Sequence, residues 1–178
     1  MSKDLGPKEI LYTGQYLRMV RQGTWEYSER VGASGIVAMI PITDKKEIVL
    51  VEQYRVPTGA HVIEIPAGLV GDKAGQEDES LELAAGRELE EETGFKAGKL
   101  TRVMEGPSSA GSSSSVLTFY LATQLVQTGP GGGDEHEEIS VHVVPLKDID
   151  GWLQAQVKAG KVLDPKIYMG LYFASLLP

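Results

Sequence analysis

The chain has 178 residues, 42% hydrophobic and 24% charged, with a formal net charge of −8 and no cysteine. That length favours one domain with a sizeable core. The lack of cysteine excludes disulfides, thiol catalysis and cysteine-ligated zinc, and Lys and Arg are scattered rather than gathered into a stripe for general nucleic-acid binding.

Met1–Pro7 has no apolar core of signal-peptide length. No run approaches the ~18 apolar residues of a membrane span. The expected location is the cytoplasm, with no membrane partner and no nucleic acid.

Ile10–Val20 and Thr24–Val31 read as extended, with Gln22-Gly23 as a turn, predicting an N-terminal antiparallel hairpin. Gly35–Ile42 reads as a buried strand, Asp44-Lys45-Lys46 as a turn and Glu47–Arg55 as the next strand. His61–Ile65 follows, and Pro66 stops it. Gly68–Gln76 reads as loop. Asp78 or Ser80 caps a helix running to Thr93, with Gly94 at its C-terminal end. Gly86 inside that helix costs about 1 kcal/mol against Ala; close packing against a strand would account for it.

Leu100–Glu105 is a predicted strand, Gly106–Ser115 a Gly/Ser loop and Val116–Leu125 a strand. Gly129-Pro130-Gly131-Gly132-Gly133 is the most flexible composition in the chain. Glu138–Leu146 alternates as a strand. Leu146-Lys147-Asp148 opens a helix to about Ala159, and Asp164-Pro165 starts a last helix reaching Leu177. Strands, helix, strands and two helices give an α/β or α+β class with a mixed sheet.

Chemistry concentrates on the first helix. Glu88, Glu91 and Glu92 stand at i, i+3 and i+4, so their Cβ atoms share one face about 5–6 Å apart. Three carboxylates that close repel each other unless a cation compensates. Mg²⁺ prefers oxygen ligands and is often held by a few carboxylates plus substrate phosphates. Arg87 can pair with Glu91 one turn on and hold its rotamer.

Glu79, Arg87-Glu88-Leu89, Glu91-Glu92 and Gly94-Phe95 fall in the register of the Nudix box, Gly-x5-Glu-x7-Arg-Glu-U-x-Glu-Glu-x-Gly-U, with U a bulky apolar residue. The chain therefore resembles Nudix hydrolases. The one departure is the first glycine, whose place is taken by Lys73 between Gly71 and Gly75, so the loop before the helix is expected to be differently turned.

The resemblance implies a Nudix α/β/α sandwich over residues 32–178, with residues 1–31 as the N-terminal hairpin of the same unit. It also implies Mg²⁺ or Mn²⁺ held by Glu88, Glu91, Glu92 and the Ala67 carbonyl. Trp25-Glu26, Arg30, Gln53-Tyr54-Arg55, Glu64–Leu69 and Glu135–Leu146 are similar to the ADP-ribose and nucleoside-diphosphate-sugar pyrophosphatase branch. That likeness implies Trp25 stacked on the nucleobase with Glu26 and Arg30 beside it, Arg55 on the diphosphate or terminal ribose, and Ala67 and Leu69 against the substrate.

The implied catalytic group is Glu92 and Arg87 with a loop glutamate as general base, Glu137 first and Glu135 second. His136 matches no catalytic position. A glycine-rich stretch leading into carboxylates also suits a lid that delivers a base. Gly106–Gly111 lies where ADP-ribose hydrolases carry a proline–glycine loop, but Ser112–Ser115 lacks the acidic residue often found there. Members of this branch are usually homodimers with exchanged N-terminal hairpins, which would put Trp25 in the neighbour's site. The expected reaction gives a nucleoside monophosphate and a sugar phosphate. Alternatives are other Nudix substrates (dinucleoside polyphosphates, coenzyme A, capped RNA) or a non-catalytic ADP-ribose sensor.

Overall fold

A computed structural model describes residues 5–73, 75–133 and 138–177. Its centre is strand β4 (Gly35–Pro41), buried on both faces. Period-two alternation sends Ala38 and Ile40 into one apolar cluster and Val37 and Met39 into another. The first cluster lies under α2 (Ile149–Lys158) and α3 (Lys166–Ser175) and contains Ile149, Leu153, Ile167 and Ala174. The second lies under α1 (Leu81–Thr93) and contains Ala84, Ala85 and Leu89. Helices thus cover the sheet layer on both sides, as the sandwich reading requires.

The mixed sheet is divided in two. One four-stranded sheet runs β7 (Ala67–Val70), β4, β9 (Val116–Gln127) and β8 (Phe95–Pro107), with β4 parallel to β9. The other runs β10 (Ser140–Pro145), β5 (Glu47–Arg55), β6 (Ala60–Glu64) and β11 (Val162–Leu163), with β11 parallel to β6.

The N-terminal hairpin is a three-stranded antiparallel sheet, β1 (Glu9–Thr13), β2 (Leu17–Gln22) and β3 (Trp25–Arg30). Its first predicted segment divides at Gly14, whose amide donates to the Leu17 carbonyl at 2.8 Å. β3 is tied to the Gly/Ser loop, since the Ser28 amide donates to Ser112 O and the Ser114 amide to Ser28 O.

Other expectations change as well. Gly68–Val70, the start of the predicted loop, belongs with Ala67 to a strand paired antiparallel to Gly35–Ala38 of β4. The sequence has too short an apolar run there to signal it. The glycine stretch 129–133 is docked on the end of α1. Gly132 donates to Glu92 O at 2.9 Å and Gly133 to Glu91 O at 3.1 Å, capping carbonyls the helix end leaves without intrahelical partners. Gly94, at φ +72, must be glycine: a Cβ there would lie 2.2 Å from the Gly129 carbonyl oxygen. Here glycine provides close approach of two backbones, which composition reads as flexibility.

Candidate active site

Ser80 is the N-cap of α1, its side chain accepting from the Leu83 amide at 3.3 Å. The cap sets the phase of the helix, and Arg87, Glu88, Glu91 and Glu92 then face β7 and the preceding loop. Glu88 lies across Gly68, where a Cβ would stand 2.0 Å from its carboxyl carbon. Gly68 is the cradle for that carboxylate, so Pro66-Ala67-Gly68 is more than a tight turn.

Arg87 organises the site. Glu79 holds it through two bonds of 2.9 Å, its other guanidinium nitrogen reaches Glu88 at 2.7 Å and Glu91 at 3.1 Å, and it also donates to Leu69 O at 3.1 Å. The side chains of Arg87, Glu79 and Glu88 are 15%, 9% and 12% exposed, so these pairs are largely removed from water. The expected Arg87–Glu91 contact forms, but Glu79 is the principal partner. Spacing could have found it, because Glu79 stands eight residues before Arg87.

The electrostatics follow from this frame. The hydrogen bond from Arg87 holds the Glu79 carboxyl below its ordinary range. Burial pushes Glu88 up, against the opposing charge and hydrogen bond of Arg87. The Arg87 guanidinium is held more firmly protonated, chiefly by Glu79. Glu92 is buried at 3% exposure and accepts from the Ala67 amide at 3.1 Å.

In the sequence Lys73 is marked only by standing at the place of the box glycine. Its ammonium donates to both oxygens of Glu91, at 2.7 and 2.8 Å. The glycine requirement of that loop falls on Gly71, at φ +69, where a Cβ would stand 2.9 Å from Glu77 O.

The structure brings together Ala67, Leu69, Arg87, Glu88, Glu91 and Glu92. Arg55 pairs with Glu64 at 2.6 Å in a groove that Arg30, Asp164 and Pro165 also line. Trp25 is half exposed in a different groove, with Lys8, Tyr27 and Gly111. Glu26 pairs with Arg21 at 2.8 Å on the surface. Glu135, His136 and Glu137 lie outside the described residues. Their flanks are joined, the Ile139 amide donating to Gly132 O at 3.3 Å.

Among the described residues, no three carboxylate or imidazole groups already converge as a cation site. Each glutamate of the face is turned to a protein partner: Glu88 to Arg87, Glu91 to Lys73 and Arg87, Glu92 to the Ala67 amide. The donor set nevertheless fits a hard divalent cation. It offers carboxylate oxygens on one helix face, a cradle without a Cβ at Gly68, and a position at i+4 that a rotamer change can reach.

A second cluster joins residues remote in sequence. Glu52 accepts from Lys161 at 2.6 Å and contacts His142 Nε2 at 2.8 Å and His61 Nδ1 at 3.3 Å. Burial raises its carboxyl, but the hydrogen bonds from Lys161 and His142 outweigh that and hold it below the ordinary range. It fastens β5 to β6, β10 and the approach to β11.

A helix-covered sheet layer, with a glutamate-bearing helix clamped by an arginine, defines a protein built around an acidic hydrolase motif. Residues 34–165 match the NUDIX domain, so the chain belongs to the Nudix family, whose hydrolases use divalent metal ions. It is 34% identical over 148 residues to an ADP-ribose pyrophosphatase of Bacillus subtilis (strain 168), covering 79% of this chain and 77% of that protein. It is 34% identical over 178 residues to an ADP-ribose pyrophosphatase of Mycobacterium tuberculosis (strain ATCC 25618 / H37Rv), covering 95% and 79%. A crystal structure of an ADP compounds hydrolase superposes with a TM-score of 0.68 at 24% identity, over 98% of this chain and 95% of that one, a likeness of fold. No helix among the described residues is long and apolar enough to cross a membrane.

Proposed function

We propose that the protein is a cytoplasmic, homodimeric pyrophosphatase. It uses Mg²⁺, with Mn²⁺ as a substitute, to hydrolyse the diphosphate bond of ADP-ribose or another nucleoside diphosphate sugar, giving a nucleoside monophosphate and a sugar phosphate. The observation that carries this reading is the buried Glu79–Arg87 clamp, which holds Glu88 and Glu91 on the helix face that also carries Glu92, with Glu88 against Gly68.

Divalent ions there would offset diphosphate charge and acidify a water molecule. Glu88, Glu91, Glu92 and the Ala67 carbonyl are the groups that would hold them. Arg55 and Arg30 line one groove, and a planar guanidinium suits paired phosphate oxygens. The face of Trp25 suits an adenine ring, a stacking contact worth ~1–3 kcal/mol, with Glu26 beside it and Leu69 next to the phosphates. A glutamate of the 134–138 loop, Glu137 first and Glu135 second, accepts the proton of the attacking water. The bond from Gly133 to the Glu91 carbonyl supports delivery of that loop to the end of α1.

Two features support the dimer, with residues 1–31 as the exchanged hairpin and 32–178 as the body of the same unit. The N-terminal sheet exposes Tyr12, Leu17 and Met19 on one face, apolar side chains that a second copy would cover. Among the described residues, none from α1 lines the Trp25 groove, an arrangement that suits completion by a second copy's helix.

The test is phosphate release, with an added phosphatase, from a panel of diphosphate sugars, dinucleoside polyphosphates and coenzyme A in Mg²⁺ or Mn²⁺. Turnover of ADP-ribose or a related sugar is expected. An inactive parent protein that still binds ADP-ribose would replace this reading with that of a sensor. Light scattering showing a monomer would reject the dimer.

A further inference from the structure

Lys73 stands where the family motif has its first glycine, and glycine has no side chain that could reach a carboxylate. In this chain that position carries an ammonium seated on both oxygens of Glu91. Glu91 also receives Arg87 at 3.1 Å. Around these two cations lie Asp72, Glu79 and Glu88, so the ammonium adds positive charge to a strongly acidic pocket.

We propose that Lys73 is a tethered counter-ion that occupies Glu91 in the metal-free protein and must withdraw before a divalent cation can use that carboxylate. The proposal rests on the reading that Glu91 holds metal. An ammonium 2.7–2.8 Å from both oxygens fills the position from which a cation would grip the two oxygens together, and a carboxylate–Mg²⁺ distance of about 2.1 Å would bring the two charges into close repulsion. Two positive charges a few ångströms apart repel strongly at reduced dielectric. Lys73 spans both oxygens, whereas Arg87 touches Oε2 alone, so Lys73 is the cation that competes for the carboxylate.

Withdrawal is mechanically simple. Lys73 is on a loop, its side chain is 36% exposed, and its four-carbon stem can swing the charge into water. Arg87, by contrast, is held bidentately by Glu79 and stays. One cation of the pocket is therefore exchangeable and the other fixed. The lysine stabilises the acidic face against its own repulsion, and it makes the site bind metal more weakly than the same site without it.

Mn²⁺ binding followed by electron paramagnetic resonance, with no substrate, tests this in the full-length protein, together with melting temperatures in EDTA and in saturating Mn²⁺. Lys73→Met should tighten Mn²⁺ binding by about tenfold, the size of one close charge coupling. It should lower the melting temperature in EDTA more than in Mn²⁺, while Lys73→Arg stays near the parent. Glu91→Gln should weaken Mn²⁺ binding, and in that background Lys73→Met should lose its effect. Unchanged or weaker Mn²⁺ binding by Lys73→Met, in a protein where Glu91→Gln does weaken it, overturns the counter-ion role alone. Unchanged binding by Glu91→Gln removes Glu91 from the metal set and the proposal with it.

Discussion

Glu79 grips Arg87 with both carboxylate oxygens at 2.9 Å, across eight residues of sequence and the N-terminal turn of α1. Through that grip the loop before the helix controls the carboxylates on the helix, because the same guanidinium also holds Glu88 and Glu91. Removing one partner of a largely buried pair leaves the other charge uncompensated. Arg87→Ala is expected to destabilise the protein by about 3 kcal/mol in urea unfolding. Arg87→Lys should recover only part of this, since an ammonium cannot reproduce the forked contact.

Glu92→Gln keeps the size of the side chain and an oxygen able to accept from the Ala67 amide, but removes the negative charge. The expected outcome is loss of turnover with nucleotide binding retained, read by phosphate release and by calorimetric titration with an unhydrolysed analogue. Retained turnover would take Glu92 out of the metal-holding set.

Two glycines of the same motif region should respond in opposite directions. At Gly86 an added Cβ meets, among the described residues, only Leu100, at 3.8 Å, an ordinary contact. Close packing therefore does not explain this glycine. Gly86→Ala should stabilise by about 0.5–1 kcal/mol through helix propensity. Gly94→Ala meets both the +72° φ and the Gly129 backbone, and should cost more than about 2 kcal/mol. Thermal unfolding of the two variants checks both signs.

Glu29 gives a pH prediction away from the metal face. Lys8 and Arg18 donate to it at 2.6 and 2.5 Å, and these hydrogen bonds hold its carboxyl below the ordinary value of 4.5. A depressed carboxyl contributes stability that is fully present above the unfolded value and is lost as pH falls through the folded one. The stability difference between the parent and Glu29→Gln should thus be constant at neutral pH and shrink below about pH 4.5. A difference that grows in acid would contradict the pairing.

Period and punctuation made most of the elements legible in the sequence. The apolar run Gly35–Ile42, the cap at Ser80 and the stop at Gly94 encode β4 and α1 locally. The i, i+3, i+4 spacing of Glu88, Glu91 and Glu92 placed three carboxylates on one face through helix geometry alone. Other features depended on contacts between distant segments. β7 forms because β4 supplies its hydrogen bonds. β11, two residues long, exists only beside β6. The partners of His61 and His142 became visible only when β5, β6 and β10 set Glu52 between them.

The sequence by itself determined the family, the acidic helix and the identity of its chemical groups, because these rest on spacing along one continuous element. Only the tertiary structure decided which partners those groups take. Gly68 became a cradle, the glycine stretch 129–133 a docked cap, and Lys73 the occupant of Glu91. Each of these depends on a loop lying a few ångströms from a helix face, a distance that no local periodicity encodes.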